Sequence, residues 1–123
     1  FLDSITRSKP VPDGLPNWID ADEFAVYVEQ FETSGFFGPL SWYRNLDADY
    51  ELTKDLPVPA VPTAFIGGTK DRVIAHRPEF VEAMTATLPD FRGTTMIDNA
   101  GHWTQQEKPA EFNDALLDLL ALL

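Results

Sequence analysis

"VPTAFIGGTKD", residues 61–71, decides how this chain folds. Its first eight residues form a continuously apolar run bounded by prolines and glycines, too short for a helix and patterned like a strand covered on both faces. Downstream, "RPEFVEAMTATL" carries Phe80, Val81, Met84 and Leu88 on one helical stripe. A second short strand, "GTTMID", then runs into "NAGHW", and Pro109 opens a last helix expected to turn Phe112, Leu116, Leu119 and Leu120 inward. The order strand, helix, strand, helix implies an α/β fold. Its sheet is expected to be parallel with a right-handed crossover, and its functional loops should leave the carboxyl ends of the strands. Two strands do not complete such a sheet, and no internal repeat or low-complexity tract supplies the others.

Upstream of this unit, Asp20 can cap the segment it precedes, with Glu23 in the reciprocal position. Phe24, Tyr27, Val28 and Phe31 follow at helical spacing until Gly35, which predicts a helix over 21–34. In "GFFGPLSWYRN" and "DADYELTKD" glycine and proline break the pattern, so a connecting region is expected with only a short helix after Asn45. The chain has 123 residues, single-domain length, at which roughly two-thirds of the unfolded surface can be buried. It begins at Phe1 with the polar run "DSITRSKPVPDGLP", the texture of a piece of something longer.

Twenty acidic residues against nine basic give a net charge of −11, with no basic cluster to meet a phosphate backbone or an anionic leaflet. Nucleic acid and membrane surfaces are therefore not expected partners. No apolar run reaches a membrane span of about 20 residues, and a cytoplasmic location is the default expectation. The absence of cysteine excludes disulfides and thiolate chemistry. Two distant histidines without a carboxylate cluster make no metal site, no glycine loop cradles a phosphate, and no cofactor is expected.

The candidate chemistry lies where the two strands end. Asp71 follows the first in "GGTKD" and His102 follows the second in "NAGHW", 31 positions later, a separation that fits one intervening helix. Adjacent parallel strands would deliver a carboxylate and an imidazole to one edge, a base with its orienting acid. Each also has a bland reading. An aspartate after glycines is common turn chemistry, and a lone histidine can be structural. His76 is expected near the start of the helix after Asp71, as an exposed polar residue. Trp18 is expected to pack beneath the helix over 21–34, and Trp103 to line a pocket beside the imidazole.

"FIGGTKD", "GHWTQQEKP" and "GLPNWIDADEFAVYVEQFETSGFFGPLSWYRN" together resemble the carboxyl-terminal part of the soluble epoxide hydrolases, a branch of the α/β-hydrolase fold. The resemblance covers nearly the whole chain. It implies that residues 1–45 end a helical cap domain and that 46–123 are the last strands and helices of the hydrolase core. In that family an aspartate attacks an epoxide carbon to form an alkyl-enzyme ester, tyrosines of the cap donate to the opening oxygen, and a histidine paired with an acid activates water to hydrolyse the ester. By position, the resemblance makes His102 the base, Asp71 its orienting acid and Tyr43 one of the tyrosines, with Trp42 and Trp103 at the substrate pocket. Read without the family, Tyr43 better suits an amphipathic interface residue between two lobes, with Trp42 and Arg44 packing beside it.

The family's nucleophilic aspartate, oxyanion loop and second tyrosine have no counterpart in this sequence. Asp20 reads as a cap, Asp47 and Asp49 lie in a polar turn, and Asp98 precedes the histidine loop; none sits in a small-residue elbow between strand and helix. The implied function is the carboxyl-terminal portion of an epoxide hydrolase, acting on a small apolar epoxide and water together with an amino-terminal portion. A haloalkane or haloacid dehalogenase of the same fold and a non-catalytic binding module are the alternatives.

Overall fold

The computed structural model describes residues 13–121. The first helix, α1, spans Ala21–Ser34 as the sequence predicts. Asp20 Oδ1 accepts from the Glu23 N–H at 2.8 Å, and Glu23 Oε2 accepts from the Asp20 N–H at 3.2 Å, so the capping box satisfies two otherwise orphaned donors. At the other end Gly35 takes φ +65 and donates its N–H to the Phe31 carbonyl at 2.8 Å. The Phe31 and Phe36 rings stack across this turn with centroids 4.6 Å apart.

The connecting region is more helical than its composition predicts. "FGPLSWYR" forms α2, Phe37–Arg44, and α3 follows over Leu46–Thr53. Pro39 is tolerated in α2 because it falls in the first turn, where no intrahelical donor is needed. Arg44 folds back along the helix, donating to the Phe37 carbonyl at 3.2 Å and placing its guanidinium 4.9 Å from the Phe37 ring centre. Asp47 and Asp49 lie in the first turn of α3, where acidic side chains complement the helix dipole.

The remainder is strand β1 (Thr63–Gly68), helices α4 (Arg72–His76) and α5 (Pro78–Thr87), strand β2 (Phe91–Ile97), and helices α6 (Thr104–Glu107) and α7 (Pro109–Leu120). β1 and β2 pair in parallel, as the alternation predicts. The register runs Thr63↔Phe91, then Phe65↔Thr94 through Gly68↔Ile97, so β2 carries one extra residue near its start. Gly93, at φ +123, supplies the backbone that this bulge needs. Helix α7 packs on both strands and α5 on β2. Together these elements form a parallel two-stranded sheet with helices packed on it.

Three packing expectations are corrected. Thr63 to Ile66 are half-exposed instead of covered on both faces; among the described residues β1 pairs with β2 alone, and α7 is the helix that packs most on it. Phe80 is exposed, its ring lying under the Arg77 guanidinium at 5.2 Å, and Leu120 is exposed at the end of α7. His76 closes α4 instead of opening a helix, though it is exposed as expected. Among the described residues Ile97, Ala100, Gly67 and Gly68 are the buried apolar positions, all at or just beyond the carboxyl ends of the strands.

Candidate active site

The two loops that leave β1 and β2 are stitched together by the backbone. Thr69 N–H donates to the Ile97 carbonyl at 3.0 Å and Lys70 N–H to the Ala100 carbonyl at 2.8 Å. Gly68 makes this approach possible, since a Cβ there would stand 2.3 Å from the carbonyl oxygens of both Ala100 and Gly101. Side chains complete the seam. Thr69 Oγ1 donates to Asp98 Oδ1 at 3.2 Å and accepts from the Asn99 N–H at 2.9 Å. Asn99 is left-handed at φ +59, a conformation asparagine adopts more readily than most residues. Asp98 thus has a structural place in the loop seam.

On this platform Asp71 and His102 meet. His102 Nδ1 lies 2.9 Å from Asp71 Oδ2, so the ionised carboxylate accepts from Nδ1–H and leaves Nε2 as the imidazole's basic nitrogen. The turn reading of Asp71 holds as well, because its other oxygen, Oδ1, accepts from the Val73 N–H at 2.8 Å and caps α4. One carboxylate therefore serves both roles, one oxygen each. Asp71 is buried while the His102 side chain is 59% exposed, so the acid is shielded and the base is presented outward. Burial alone would push the Asp71 carboxyl up; the hydrogen bonds from His102 and the Val73 backbone outweigh it and hold the group below the ordinary carboxylate range.

The histidine loop is held from a side that the sequence does not announce. Glu107, at the end of α6, turns back so that Oε2 accepts from the Gly101 N–H at 2.6 Å and Oε1 from the Trp103 N–H at 3.1 Å. Its carboxylate bridges the residues immediately before and after His102. The visible signal was an acid five positions beyond the histidine and two before Pro109, but spacing does not reveal that the side chain folds back.

An apolar cavity of about 810 Å³ lies between α1 and the histidine loop, lined among others by Trp18, Phe24, Tyr27, Phe31 and Trp103. The Tyr27 hydroxyl and Gln106 Nε2 close to 2.6 Å beside it, tying α1 to α6. Trp103 stands edge-on to the His102 ring with centroids 5.4 Å apart. Tyr43 and Trp42 lie on α2, both largely exposed, and are not among the residues lining this cavity. Among the described residues no group of three or more acids and histidines is placed to hold a metal, and no helix is long and apolar enough to cross a membrane.

No protein-family model matches the sequence. Curated relatives do. Epoxide hydrolase A of Mycobacterium tuberculosis is 43% identical over 122 residues, covering 98% of this chain and 36% of that protein. The bifunctional epoxide hydrolase 2 of Rattus norvegicus is 38% identical over 104 residues, covering 80% of this chain and 18% of that protein. The crystal structure of epoxide hydrolase A from Mycobacterium thermoresistibile superposes with a TM-score of 0.79 at 41% identity, over 91% of this chain and 35% of that one. The chain thus spans about a third, or less, of the length of these relatives.

Proposed function

We propose that this chain, homologous to the carboxyl-terminal third of epoxide hydrolases, supplies the water-activating half of an epoxide hydrolase active site. The observation that carries the reading is the 2.9 Å contact between Asp71 and His102 at the carboxyl edge of two parallel strands, with the imidazole presented outward. Residues 1–45 are assigned to the end of a cap and 46–123 to the hydrolase core, working in the cytoplasm with an amino-terminal portion that carries the nucleophilic aspartate.

The chemistry follows in two steps. The nucleophilic carboxylate forms a bond to an epoxide carbon as the carbon–oxygen bond of the ring breaks. The departing oxygen takes a proton from the Tyr43 phenol, because an alkoxide is a poor leaving group and a donor aimed at the developing charge lowers the barrier. The product is a hydroxyalkyl ester. His102 Nε2 then takes a proton from water, and the resulting hydroxide attacks the ester carbonyl. The carboxylate and the vicinal diol leave, with the imidazolium proton returned to the phenolate. Asp71 stabilises that imidazolium and fixes its tautomer. Trp103 and, across the cap, Trp42 are assigned to the walls against which an apolar substrate rests.

Residues 1–123 mixed with the amino-terminal portion should convert an aryl epoxide to its diol, with a transient mass adduct on the amino-terminal portion. Turnover by residues 1–123 alone, or none by the mixture, would overturn the reading.

A further inference from the structure

We infer that Glu107 is a positioning residue for the base, clamping the backbone on both sides of His102 so that Nε2 is aimed at the water that cleaves the ester. The inference rests on the functional reading above and adds to it a residue that the triad does not contain. His102 is hydrogen-bonded to Asp71 through Nδ1 and touched edge-on by the Trp103 ring, while its side chain is largely exposed, so the ring's aim depends on where the backbone of residues 101–103 sits.

Glu107 holds that backbone at two points. Oε2 accepts from Gly101 at 2.6 Å and Oε1 from Trp103 at 3.1 Å, so both oxygens are spent on the residues flanking the base. Such bonds from amides to a charged acceptor are about twice as strong as neutral ones. The site is also shaped for this carboxylate. A Cβ on Gly101 would come within 2.8 Å of Oε1 and 3.0 Å of Oε2, so only glycine admits the acid this closely. Glu107 is itself anchored, because its N–H donates to the Trp103 carbonyl at 2.8 Å. The carboxylate thus fastens the loop to the end of α6, and α6 is tied through Gln106 to Tyr27 of α1. Glu107 is not among the residues lining the apolar cavity, and both its carboxylate oxygens are engaged by the loop backbone.

A misaimed base slows ester hydrolysis and leaves ester formation alone. In the preparation that contains the amino-terminal portion, Glu107→Ala should lower kcat for an aryl epoxide about 10-fold or more. KM should fall in proportion, because kcat/KM reports the earlier alkylation step, and alkyl-enzyme should accumulate by intact mass. Glu107→Gln, which keeps one acceptor oxygen, should fall between wild type and alanine, and Glu111→Gln, the same charge lost from the exposed side of α7, should match wild type. A decrease in kcat at constant KM without accumulated ester would mean lost folded protein only, and would overturn the inference, as would unchanged kinetics. The downfield Nδ1–H proton resonance of His102 provides a readout independent of turnover. Its broadening or shift in Glu107→Ala supports the clamp even in a preparation without epoxide hydrolysis, a result that would sink the functional reading alone. An unshifted resonance overturns the clamp.

Discussion

At the scale of single residues the site is governed by how one carboxylate divides its two oxygens. Asp71→Asn preserves shape but offers an amide where Nδ1–H needs an acceptor, favouring the wrong imidazole tautomer. Hydrolysis of the ester should slow by about 10³-fold or more, while rapid-quench formation of the ester stays near the wild-type rate. The acidity of Asp71 has a definite sign. Its folded pKa lies below the ordinary 3.8, so the pairing stabilises the folded chain at neutral pH and above. That contribution declines as pH falls from about 4 through the lower folded value. The loss of stability over that acid range should therefore be smaller in Asp71→Asn, as chemical denaturation measured across it would reveal. For Tyr43, removal of the hydroxyl in Tyr43→Phe should slow single-turnover alkylation and leave the melting temperature within a degree or two. Asp71 and His102 were readable as a pair from their positions after two strands. Glu107 was not, because a side chain that reverses direction leaves no trace in sequence spacing.

At the scale of elements, local signals were strongest where backbone satisfaction is local. The Asp20 and Glu23 capping box and Gly35 delimit α1 with no help from the rest of the fold. Asp20→Ala should cost about 1 kcal/mol of helix stability, measurable as reduced protection of the first α1 amides in hydrogen exchange. Helix α2 is the counterexample. Its glycine and proline suggest a break, yet the proline sits where a helix tolerates it and Arg44 closes the helix by reaching back to Phe37. The crossing of the two strand-end loops depends on Gly68. Gly68→Ala sets a methyl group against two backbone carbonyls that cannot rotate away, so the loops must part. A loss of about 1–3 kcal/mol is expected, together with loss of the Asp71–His102 contact. Chemical denaturation and the His102 Nδ1–H resonance should report both changes.

At the scale of the whole molecule, the balance of apolar surface is decisive. Phe37, Trp42 and Leu52 are each about three-quarters exposed, with many other large apolar side chains alongside them, whereas few apolar positions are buried among the described residues. Patches of that extent mark an interface, and the side of β1 that is unpaired among the described residues invites edge-to-edge association. Residues 1–123 alone should bind a hydrophobic dye and sediment as aggregates. Addition of the amino-terminal portion should suppress both, and a monodisperse, cooperatively melting chain would contradict this. The sequence by itself determined the alternation of strand and helix, the parallel pairing, the capped α1 and the placement of an acid and a base at one sheet edge. Those features arise from periodicity, from caps and from strand direction, which are written within short windows. Only the tertiary structure decided that Asp71 both caps α4 and holds His102, that Glu107 brackets the base, that α2 is a helix, and that β1 lies half-open. Each of these depends on which distant backbone or side chain arrives beside it, and proximity across the fold is a property of packing that no local pattern encodes.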